Sequence, residues 1–347
     1  MELGNKIRAL RYKAGLTQDQ LAEKLGVGAQ AVSKWENSVA MPDISLLPSI
    51  SGVFGVSIDE LFDLSTEQRL NRIENSLDIE DDLPQDLFRE YEDLLRPLMA
   101  EEEYKQRATD LMAYLYWHRM NAAAQKVKQY AKDSIRMAPG EKKSQWMLAQ
   151  AERHSVWDWN ISNHNSAIEF YRGLVEKDPG TPLPYYYLID NLIADHRADE
   201  AEEYLGKLRS LEGAGDVLCK VYPAHIALAR FDGKTADSIM EGLLRDEPEN
   251  SGILFEAAQY YAKKCDYRSA IDLYELSYEK DTDRPRFIDA LQGVADIWQI
   301  LGDYGRAAEA YGRIVDSMIR EWGMTEEVEL RDAQREHTRL LALAQKQ

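Results

Sequence analysis

A stretch near the N-terminus, TQDQLAEKLGVGAQAVSKWEN from Thr17 to Asn37, carries the side chains best suited to chemistry. Amide, hydroxyl and amino groups recur on one side of its second half, and apolar residues recur on the other side. Such polar groups hydrogen-bond to base edges and to phosphate oxygens. The chemistry expected of this stretch is therefore non-covalent recognition of nucleic acid.

Two short helices joined by a tight turn must position these groups. Thr17 and Gln20 have the spacing of a capping box, which starts the first helix. Gly26 supplies the left-handed residue that ends it. The second helix buries Val32 and Trp35, so its polar side faces outward. This is the pattern of a helix-turn-helix.

Residues 3–62 resemble the Cro/CI-type (XRE) DNA-binding domain through the segments LGNKIRALRYKAGLTQDQLAEKLGV, AVSKWEN and MPDISLLPSISGVFGVSIDELF. The resemblance implies a five-helix bundle that reads DNA through its third helix, usually as a dimer. It implies phosphate contacts from Gln18 and Asn37, and base-facing positions at Ala29, Gln30, Ser33 and Lys34. The chain departs from the family pattern at Gly28-Ala29, where a polar pair is common. The first base-facing position therefore offers a methyl group, which suits a thymine methyl.

The flanking helices are expected to complete this bundle. Helix one, from about Leu3 to Ala14, is expected to present four basic side chains to solvent or phosphate: Lys6, Arg8, Arg11 and Lys13. A fourth helix follows Pro42 and is expected to close the core with Ile44, Leu47, Ile50 and Phe54. Pro48 and Gly52 interrupt this helix, so a kink or an early 3₁₀ turn is predicted.

Length and charge indicate several domains and a local attraction to DNA. The 347 residues suit two or three domains, and the formal net charge is −19. Residues 1–35 nevertheless carry six basic and three acidic side chains, whereas residues 63–107 carry six basic and fourteen acidic ones. Attraction to phosphate is therefore confined to one small face of the protein.

Other classes of protein are disfavoured by the same reading. No apolar run is long enough to span a membrane, and the start MELGNKIRAL is a charged helix that predicts a cytoplasmic protein. Cys219 and Cys265 form no C-x-x-C motif, which argues against a disulfide framework or a zinc site. Asp232-Gly233-Lys234-Thr235 lacks the earlier glycine of a phosphate-binding loop. We therefore expect no enzyme, no cofactor and no metal site.

Residues 65–107 are expected to form an acidic helical linker. Three apolar residues share one helical face at 3–4 spacing: Leu70, Ile73 and Leu77. Two interpretations stay open, a dimerising seam or a helix packed on its own chain. An acidic run from Asp78 to Asp82 predicts a hinge. A further helix, Asp86 to Leu95, is expected to end before Pro97.

Residues 108–347 contain an internal repeat. A small residue is followed four places later by a large one at Ala167/Tyr171, Ala201/Leu205, Ala236/Met240, Ala270/Tyr274 and Ala307/Tyr311. The alanines lie 34, 35, 34 and 37 residues apart. This pattern resembles the tetratricopeptide repeat, which implies an α-solenoid of stacked helix pairs. A weaker unit around Leu111, Tyr114, Ala131 and Pro139 is expected before these, and a polar helix, Thr325 to Ala344, is expected to cap the stack.

The first helix of each pair is expected to line a concave inner wall. Aligning the units places these residues there: Glu152, Trp159, Asn160, Tyr186, Asp190, His225, Phe255, Gln259, Lys263, Gln292, Asp296 and Gln299. Aromatic, amide and charged groups in this mixture suit an extended peptide. A groove that is only solvated, or filled by a partner subunit, is the alternative.

The sequence thus predicts an all-α protein, with a helix-turn-helix bundle at residues 1–64, a linker at 65–107 and repeats at 108–347. The layout resembles the peptide-responsive regulators of Gram-positive bacteria (the RNPP group). It implies a homodimeric transcriptional regulator that binds double-stranded DNA and senses a peptide or protein effector. The alternative is a DNA-binding adaptor whose repeats hold a constitutive partner or only self-associate.

Overall fold

The computed structural model describes residues 3–62, 65–140, 142–152 and 163–347, and all regular secondary structure in these residues is helical. The chain forms two compact units, residues 1–153 and residues 154–347. The helices of the first unit are α1 (Leu3–Lys13), α2 (Gln18–Leu25), α3 (Ala29–Glu36), α4 (Leu47–Phe54), α5 (Ile58–Leu61), α6 (Thr66–Ile79), α7 (Gln85–Leu98), α8 (Lys105–Met137) and α9 (Lys142–Glu152). None of the helices described here has both the length and the apolar character needed to cross a bilayer.

Helices α1 to α5 form the predicted bundle around one apolar core. The capping box is present, because Thr17 accepts a hydrogen bond from the Gln20 backbone and the Gln20 side chain accepts one from the Thr17 backbone. Gly26 ends α2 with φ of 67°, in the left-handed region that favours glycine. Val32 and Trp35 are buried, as the helix-turn-helix pattern predicts.

The prediction that Ile44 belongs to the core is wrong. Residues Ile44–Leu46 form a 3₁₀ turn, and Asp43 caps it by accepting a hydrogen bond from the Ser45 backbone. The α-helix starts only at Leu47, so Ile44 precedes the amphipathic part and is 82% exposed. The early 3₁₀ turn that the sequence predicted is confirmed.

Helices α6, α7 and α8 share a second core within the first unit. Leu70, Ile73 and Leu77 are buried in it, which decides the open question in favour of a helix packed on its own chain. Helix α7 does not end before Pro97 but continues to Leu98. Pro97 has no N–H, so the last turn of α7 lacks one of the backbone bonds of a regular helix, and the helix ends one residue later.

Most of the expected weak repeat unit around Leu111, Tyr114, Ala131 and Pro139 lies instead in one continuous helix, with Pro139 just beyond its end. Helix α8 has 33 residues, and no glycine or proline occurs between Lys105 and Met137 to interrupt it. Pro139 and Gly140 follow directly after its end. Helix α8 also runs through residue 107, where the linker was expected to meet the repeats.

The second unit is built of the predicted helix pairs. Its helices are α10 (Asn165–Lys177), α11 (Leu183–Ala194), α12 (Ala198–Leu208), α13 (Asp216–Ala229), α14 (Gly233–Asp246), α15 (Ser251–Lys263), α16 (Tyr267–Lys280), α17 (Asp289–Ile300), α18 (Tyr304–Arg320) and α19 (Val328–Ala344). The repeated alanines at 201, 236, 270 and 307 are buried in the second helix of successive pairs. Helix α19 packs on α18 and closes the stack.

The turn between the two helices of each pair contains one left-handed residue, five positions before the repeated alanine. These residues are His196 (φ 56°), Phe231 (φ 61°), Cys265 (φ 60°) and Gly302 (φ 77°). Three units therefore place an L-residue with a side chain in a conformation that disfavours it by roughly 1–2 kcal/mol. The geometry of the corner is set by the packing of the pair and not by the residue that occupies it.

We predict that Cys265→Gly raises the free energy of unfolding by up to about 1 kcal/mol, because glycine relieves the left-handed penalty but orders a more flexible chain. Cys265→Ala removes the same thiol and keeps the penalty, so it should be less stable than Cys265→Gly. The reciprocal change Gly302→Ala should lower stability by about 1 kcal/mol. Urea denaturation of the three variants measures this. Equal stability of the glycine and alanine variants at position 265 would contradict it.

Candidate functional site

Helix α3 presents a polar outer face above a buried inner face. Gln30 and Lys34 are exposed, and Ser33 is half-buried beside them. Ala29 is half-buried and packs against the bundle core, so it offers only part of its methyl group. The face can therefore offer one amide, one hydroxyl and one ammonium group to a surface that approaches it.

The last turn of α3 is held by a buried ion pair that the sequence analysis missed. Arg11 was expected at the surface, but it is 5% exposed and Glu36 is 1% exposed. The guanidinium donates from Nε to Glu36 Oε1 at 2.6 Å and from Nη2 to Oε2 at 2.9 Å. Its Nη1 donates to the Leu16 carbonyl at 2.8 Å. The Arg11 side chain thus connects α1 to α3 through Glu36, and to the turn that precedes α2 through the Leu16 carbonyl.

The ionised state of Glu36 is stabilised by its partners. Burial alone would raise the pKa of Glu36, but hydrogen bonds from Arg11 and Gln18 outweigh it and hold this pKa below its ordinary value. Gly4 allows α1 to approach α3 closely, since a Cβ at this position would lie 1.9 Å from the Trp35 carbonyl oxygen. The sequence did carry a signal for the burial of Arg11. It lies four residues after the buried Ile7 and therefore shares the same face of the helix.

The two residues expected at phosphates are engaged within the bundle but keep donor capacity. Gln18 Nε2 donates to Glu36 Oε2 at 2.8 Å, and Asn37 Nδ2 donates to the Ser33 carbonyl at 2.9 Å. An amide nitrogen carries two N–H groups, so each residue has a second hydrogen to offer. Arg8 donates to Asn37 Oδ1 at 2.6 Å and fixes the orientation of that amide.

A second polar surface, here named the first-helix face, is formed in the second unit by α11, α13, α15 and α17. Helix α13 contacts both α11 and α15. Asp190 accepts a hydrogen bond from the Tyr222 hydroxyl at 3.0 Å, which joins α11 to α13, and the rings of Tyr186 and Tyr222 stack with centroids 6.5 Å apart. Asp190 is exposed at the surface. The surrounding protein still removes part of the water around its carboxylate, which raises its pKa, and the hydrogen bond from Tyr222 offsets part of this rise.

Lys263 is an exposed cation beside the charged and polar groups of this face. Its charge acts on Asp190, Glu256 and His225. Burial raises the pKa of Glu256. His225 is 7% exposed, and burial, helped by Lys263, lowers its pKa to about 4. The imidazole is therefore neutral at neutral pH and packs edge-on against Tyr260 instead of presenting a charge.

The remaining expected wall residues are distributed along α15 and α17. Phe255 and Gln259 are half-buried, and Phe255 packs edge-on against Tyr274. Gln292 donates to Asp296 Oδ1 at 2.9 Å and to the Tyr311 hydroxyl at 2.8 Å, and Gln299 accepts from Arg339 at 2.7 Å. Glu152 ends α9 in the first unit and pairs with Lys132. Trp159 and Asn160 lie outside the described residues.

Two residues of the first-helix face, Tyr222 and Glu256, were missed from the sequence, as was Tyr274 of α16, which contacts Phe255 of this face. Tyr222 lies three positions before His225 and therefore shares its helical side. Glu256 adjoins Phe255, and Tyr274 is one of the repeat residues that the sequence analysis assigned to packing alone. The pKa of Tyr274 is raised to about 12, mainly by burial and further by Glu256 and Asp296. It therefore stays protonated at neutral pH.

We predict that Arg11→Met lowers the free energy of unfolding by about 3–5 kcal/mol, because it leaves the Glu36 carboxylate buried and unpaired. Adding Glu36→Leu should restore most of this loss. The lowered pKa of Glu36 contributes stability above its ordinary pKa of 4.5 that is lost as the pH falls through the lowered value. The acid sensitivity of the bundle should thus be smaller in the double variant. Thermal unfolding across pH measures both effects, and a double variant no more stable than Arg11→Met would contradict the pairing.

Comparison with known proteins agrees with this geometry. The family model described as Helix-turn-helix matches residues 7–61. The HTH-type transcriptional activator BcrR of Enterococcus faecalis is 45% identical over 74 residues, which are 21% of this chain and 35% of that protein. The chain thus spans about a third of the length of that relative. A crystal structure of Bacillus thuringiensis PlcR with the peptide PapR7 and DNA is 14% identical, covers 89% of this chain and 98% of that one, and has a TM-score of 0.20. A likeness that loose carries no functional conclusion.

Two short archaeal proteins are matched over nearly their whole length. An HTH-type transcriptional regulator of Archaeoglobus fulgidus is 35% identical over 63 residues, which are 18% of this chain and 90% of that protein. The HTH-type transcriptional regulator MJ0272 of Methanocaldococcus jannaschii is 38% identical over 58 residues, which are 17% of this chain and 88% of that protein. Residues 7–61, which the family model matches, cover most of the α1–α5 bundle and the whole of α3. This chain belongs to the helix-turn-helix family of transcriptional regulators.

Proposed function

We propose that this chain is a cytoplasmic, homodimeric transcriptional regulator that inserts α3 into the major groove of DNA. One observation carries the proposal: α3 exposes Gln30 and Lys34 while its last turn is fixed from below by the Arg11–Glu36 pair. A rigid helix with a polar outer face is what major-groove readout requires. Two copies would read half-sites about 34 Å apart, or a multiple of that distance.

The α3 side chains divide by their chemistry between bases and backbone. A glutamine amide can pair in a bidentate manner with adenine, and a lysine donates to guanine acceptors, so Gln30 and Lys34 suit base edges. Ser33 can serve either base, and Ala29 can touch a thymine methyl. The second amide hydrogens of Gln18 and Asn37 suit phosphate oxygens at the ends of the helix.

The first-helix face of the repeats is proposed to bind a peptide or protein effector. Asp190, Lys263 and Gln259 supply charge and hydrogen-bonding groups, and Tyr186 and Phe255 supply partly buried rings, which is the mixture that an extended peptide needs. The three-domain division, with residues 65–107 as the linker and 108–347 as the repeat domain, is part of this proposal, with α8 running across the boundary between the last two. An effector shifts DNA binding only if its affinity differs between two arrangements of the repeats.

The alternative function is a DNA-binding adaptor whose repeats hold a constitutive partner or only self-associate. Several groups of the first-helix face are already satisfied within the chain, among them Gln292 and Gln299. A face with its polar groups paired in this way also suits a permanent protein interface. Sensing and scaffolding differ in whether a ligand changes the repeats.

We predict that Gln30→Ala relaxes the preference at one base position by about 1–3 kcal/mol, because it removes an amide that pairs with a base edge. Lys34→Ala should do the same at a neighbouring position, whereas Gln18→Ala should weaken binding to all sequences alike. The preferred duplex is first selected from a random library with the full chain, and the variants are then titrated against it at fixed salt.

Gln150→Ala, an exposed glutamine of α9, is the matched control and should leave both affinity and preference unchanged. If Gln18→Ala lost all sequence discrimination while Gln30→Ala lost none of it, the proposed roles of the two residues would be reversed. A wild-type chain that prefers no duplex over random competitor would end the proposal.

We predict that peptides selected by the full chain from a random phage-displayed library change its small-angle scattering profile, because they favour one arrangement of the repeats. Lys263→Met should lose this response, since Lys263 lies among the groups of the first-helix face. Its neighbour Lys264 is paired with Asp237, so Lys264→Met is the matched control. Peptides that bind without altering the profile would favour the adaptor function.

A further inference from the structure

Helix α8 carries an apolar stripe that is largely solvent-exposed, although its Tyr116 contacts Phe88 and Glu92 of α7 and its Ser134 bonds to Ser144 of α9. Five of its large side chains are solvent-exposed: Tyr116 (50%), Met120 (55%), Val127 (38%), Tyr130 (69%) and Met137 (81%). Ala123 is exposed and Ser134 half-buried on the same line. We call these seven residues the α8 stripe. Their spacing alternates between four and three residues throughout.

The stripe is separate from the face by which α8 packs within its own chain. That buried face consists of Ala108, Leu111, Leu115, His118 and Ala122, and it lies against α6 and α7. At 3.6 residues per turn, the stripe is rotated by about a third of a turn from this face. Helix α8 therefore has two apolar faces, of which one is packed on α6 and α7 and the other is mostly solvent-exposed, with α9 reaching it at Ser134.

Alternating steps of three and four residues are the spacing of a coiled-coil seam. Such a seam meets a partner helix by inserting each side chain between four residues of the partner. Residues 116–137 contain three heptads and span about 32 Å at 1.5 Å per residue. Isolated exposed apolar residues need no explanation, but an aligned row of this length marks an interaction surface.

We propose that the α8 stripe pairs with the same stripe of a second copy of this chain, forming a two-fold interface. The inference rests on the proposed function for its need of two copies, and it adds the surface that joins them. A two-fold interface uses the same patch on both copies, so a single self-complementary stripe is sufficient.

The exposed area agrees with a dimer interface. Taking about 200 Å² for each large side chain, the exposed parts of Tyr116, Met120, Tyr130 and Met137 offer on the order of 500 Å² per copy. Trp117, 51% exposed at the edge of the stripe, and Val127 add to this area. Two copies would therefore bury more than about 1,000 Å², which is the minimum expected of a biological interface.

The charges beside the stripe favour a second copy over a strongly acidic partner. Arg119 and Lys126 flank it on one side, and both are directed to Asp82 of their own chain. Arg119 also donates to Gln85 at 2.8 Å. Asp82 thus offsets one of these two positive charges before any partner arrives. The opposite flank carries Trp117 and Ala124, which are uncharged, so two copies can approach without strong repulsion.

The sequence offered a different seam, which the structure excludes. Leu70, Ile73 and Leu77 of α6 have the same 3–4 spacing, but they are buried at 0–1% exposure against α7 and α8. They cannot face a second copy without dismantling the core that they form. The stripe on α8 has the spacing of such a seam and is available.

The test is sedimentation equilibrium on the full chain and on the double variant Val127→Glu, Tyr130→Glu. The wild type should be dimeric, and the variant should dissociate at least about 100-fold more readily, because four carboxylates would face one another in the two-copy interface. Val39→Glu with Ile44→Glu adds the same charge at two exposed apolar positions outside α8, beside the α1–α5 bundle, and should leave the dimer intact.

A second variant protects the test against misfolding. Tyr130→Ser with Met137→Ser alters only side chains that are 69% and 81% exposed, so its helix content by circular dichroism should be unchanged while its dimer weakens. A wild type that is monomeric at all concentrations, or stripe variants that stay fully dimeric, would overturn the inference.

The same proteins keep this inference distinct from the proposed function. A wild type that selects a preferred duplex but whose dimer ignores the stripe variants refutes the stripe alone. A wild type that prefers no duplex but dissociates in the stripe variants refutes DNA recognition alone and supports the interface.

Discussion

The position of α3 depends on a buried carboxylate in its last turn. Glu36 accepts hydrogen bonds from Arg11 of α1 and from Gln18 of α2. Its buried carboxylate therefore holds α1, α2 and α3 in one arrangement. A buried ion pair is weak evidence for stability, because desolvation offsets much of the attraction. Its stronger effect is geometric: a bidentate guanidinium tolerates little rotation of the helix that it holds. The polar outer face of α3 is therefore held in a defined orientation.

Local patterns in the sequence predicted the elements well, because their determinants are a few residues apart. The capping box at Thr17, the glycine that ends α2 and the helix pairs of the second unit all depend on such short-range signals. The buried role of Arg11 required knowledge of a partner 25 residues away. The exposure of Ile44 depended on where a helix starts, which is less well determined by pattern than the existence of the helix.

The residues that face a ligand were harder to predict than the fold that carries them. Gln30, Ser33 and Lys34 are accessible on α3, as a helical projection alone would suggest. On the repeats, the alignment of units named His225, yet the structure buries it and leaves Lys263 exposed on the next pair. The difference arises because neighbouring pairs pack with different side chains, and this tertiary detail has no short-range signature in the chain.

Helix α8 is a rod about 50 Å long, at 1.5 Å for each of its 33 residues. Its first half packs against α6 and α7, whereas its second half contacts α9. An uninterrupted rod of this kind acts as a lever: a tilt of a few degrees at one end displaces the other end by a few ångströms. A helix broken by glycine or proline would absorb the same movement at the break. Because α8 contains neither glycine nor proline, a tilt at one end is passed to the other end within its unit.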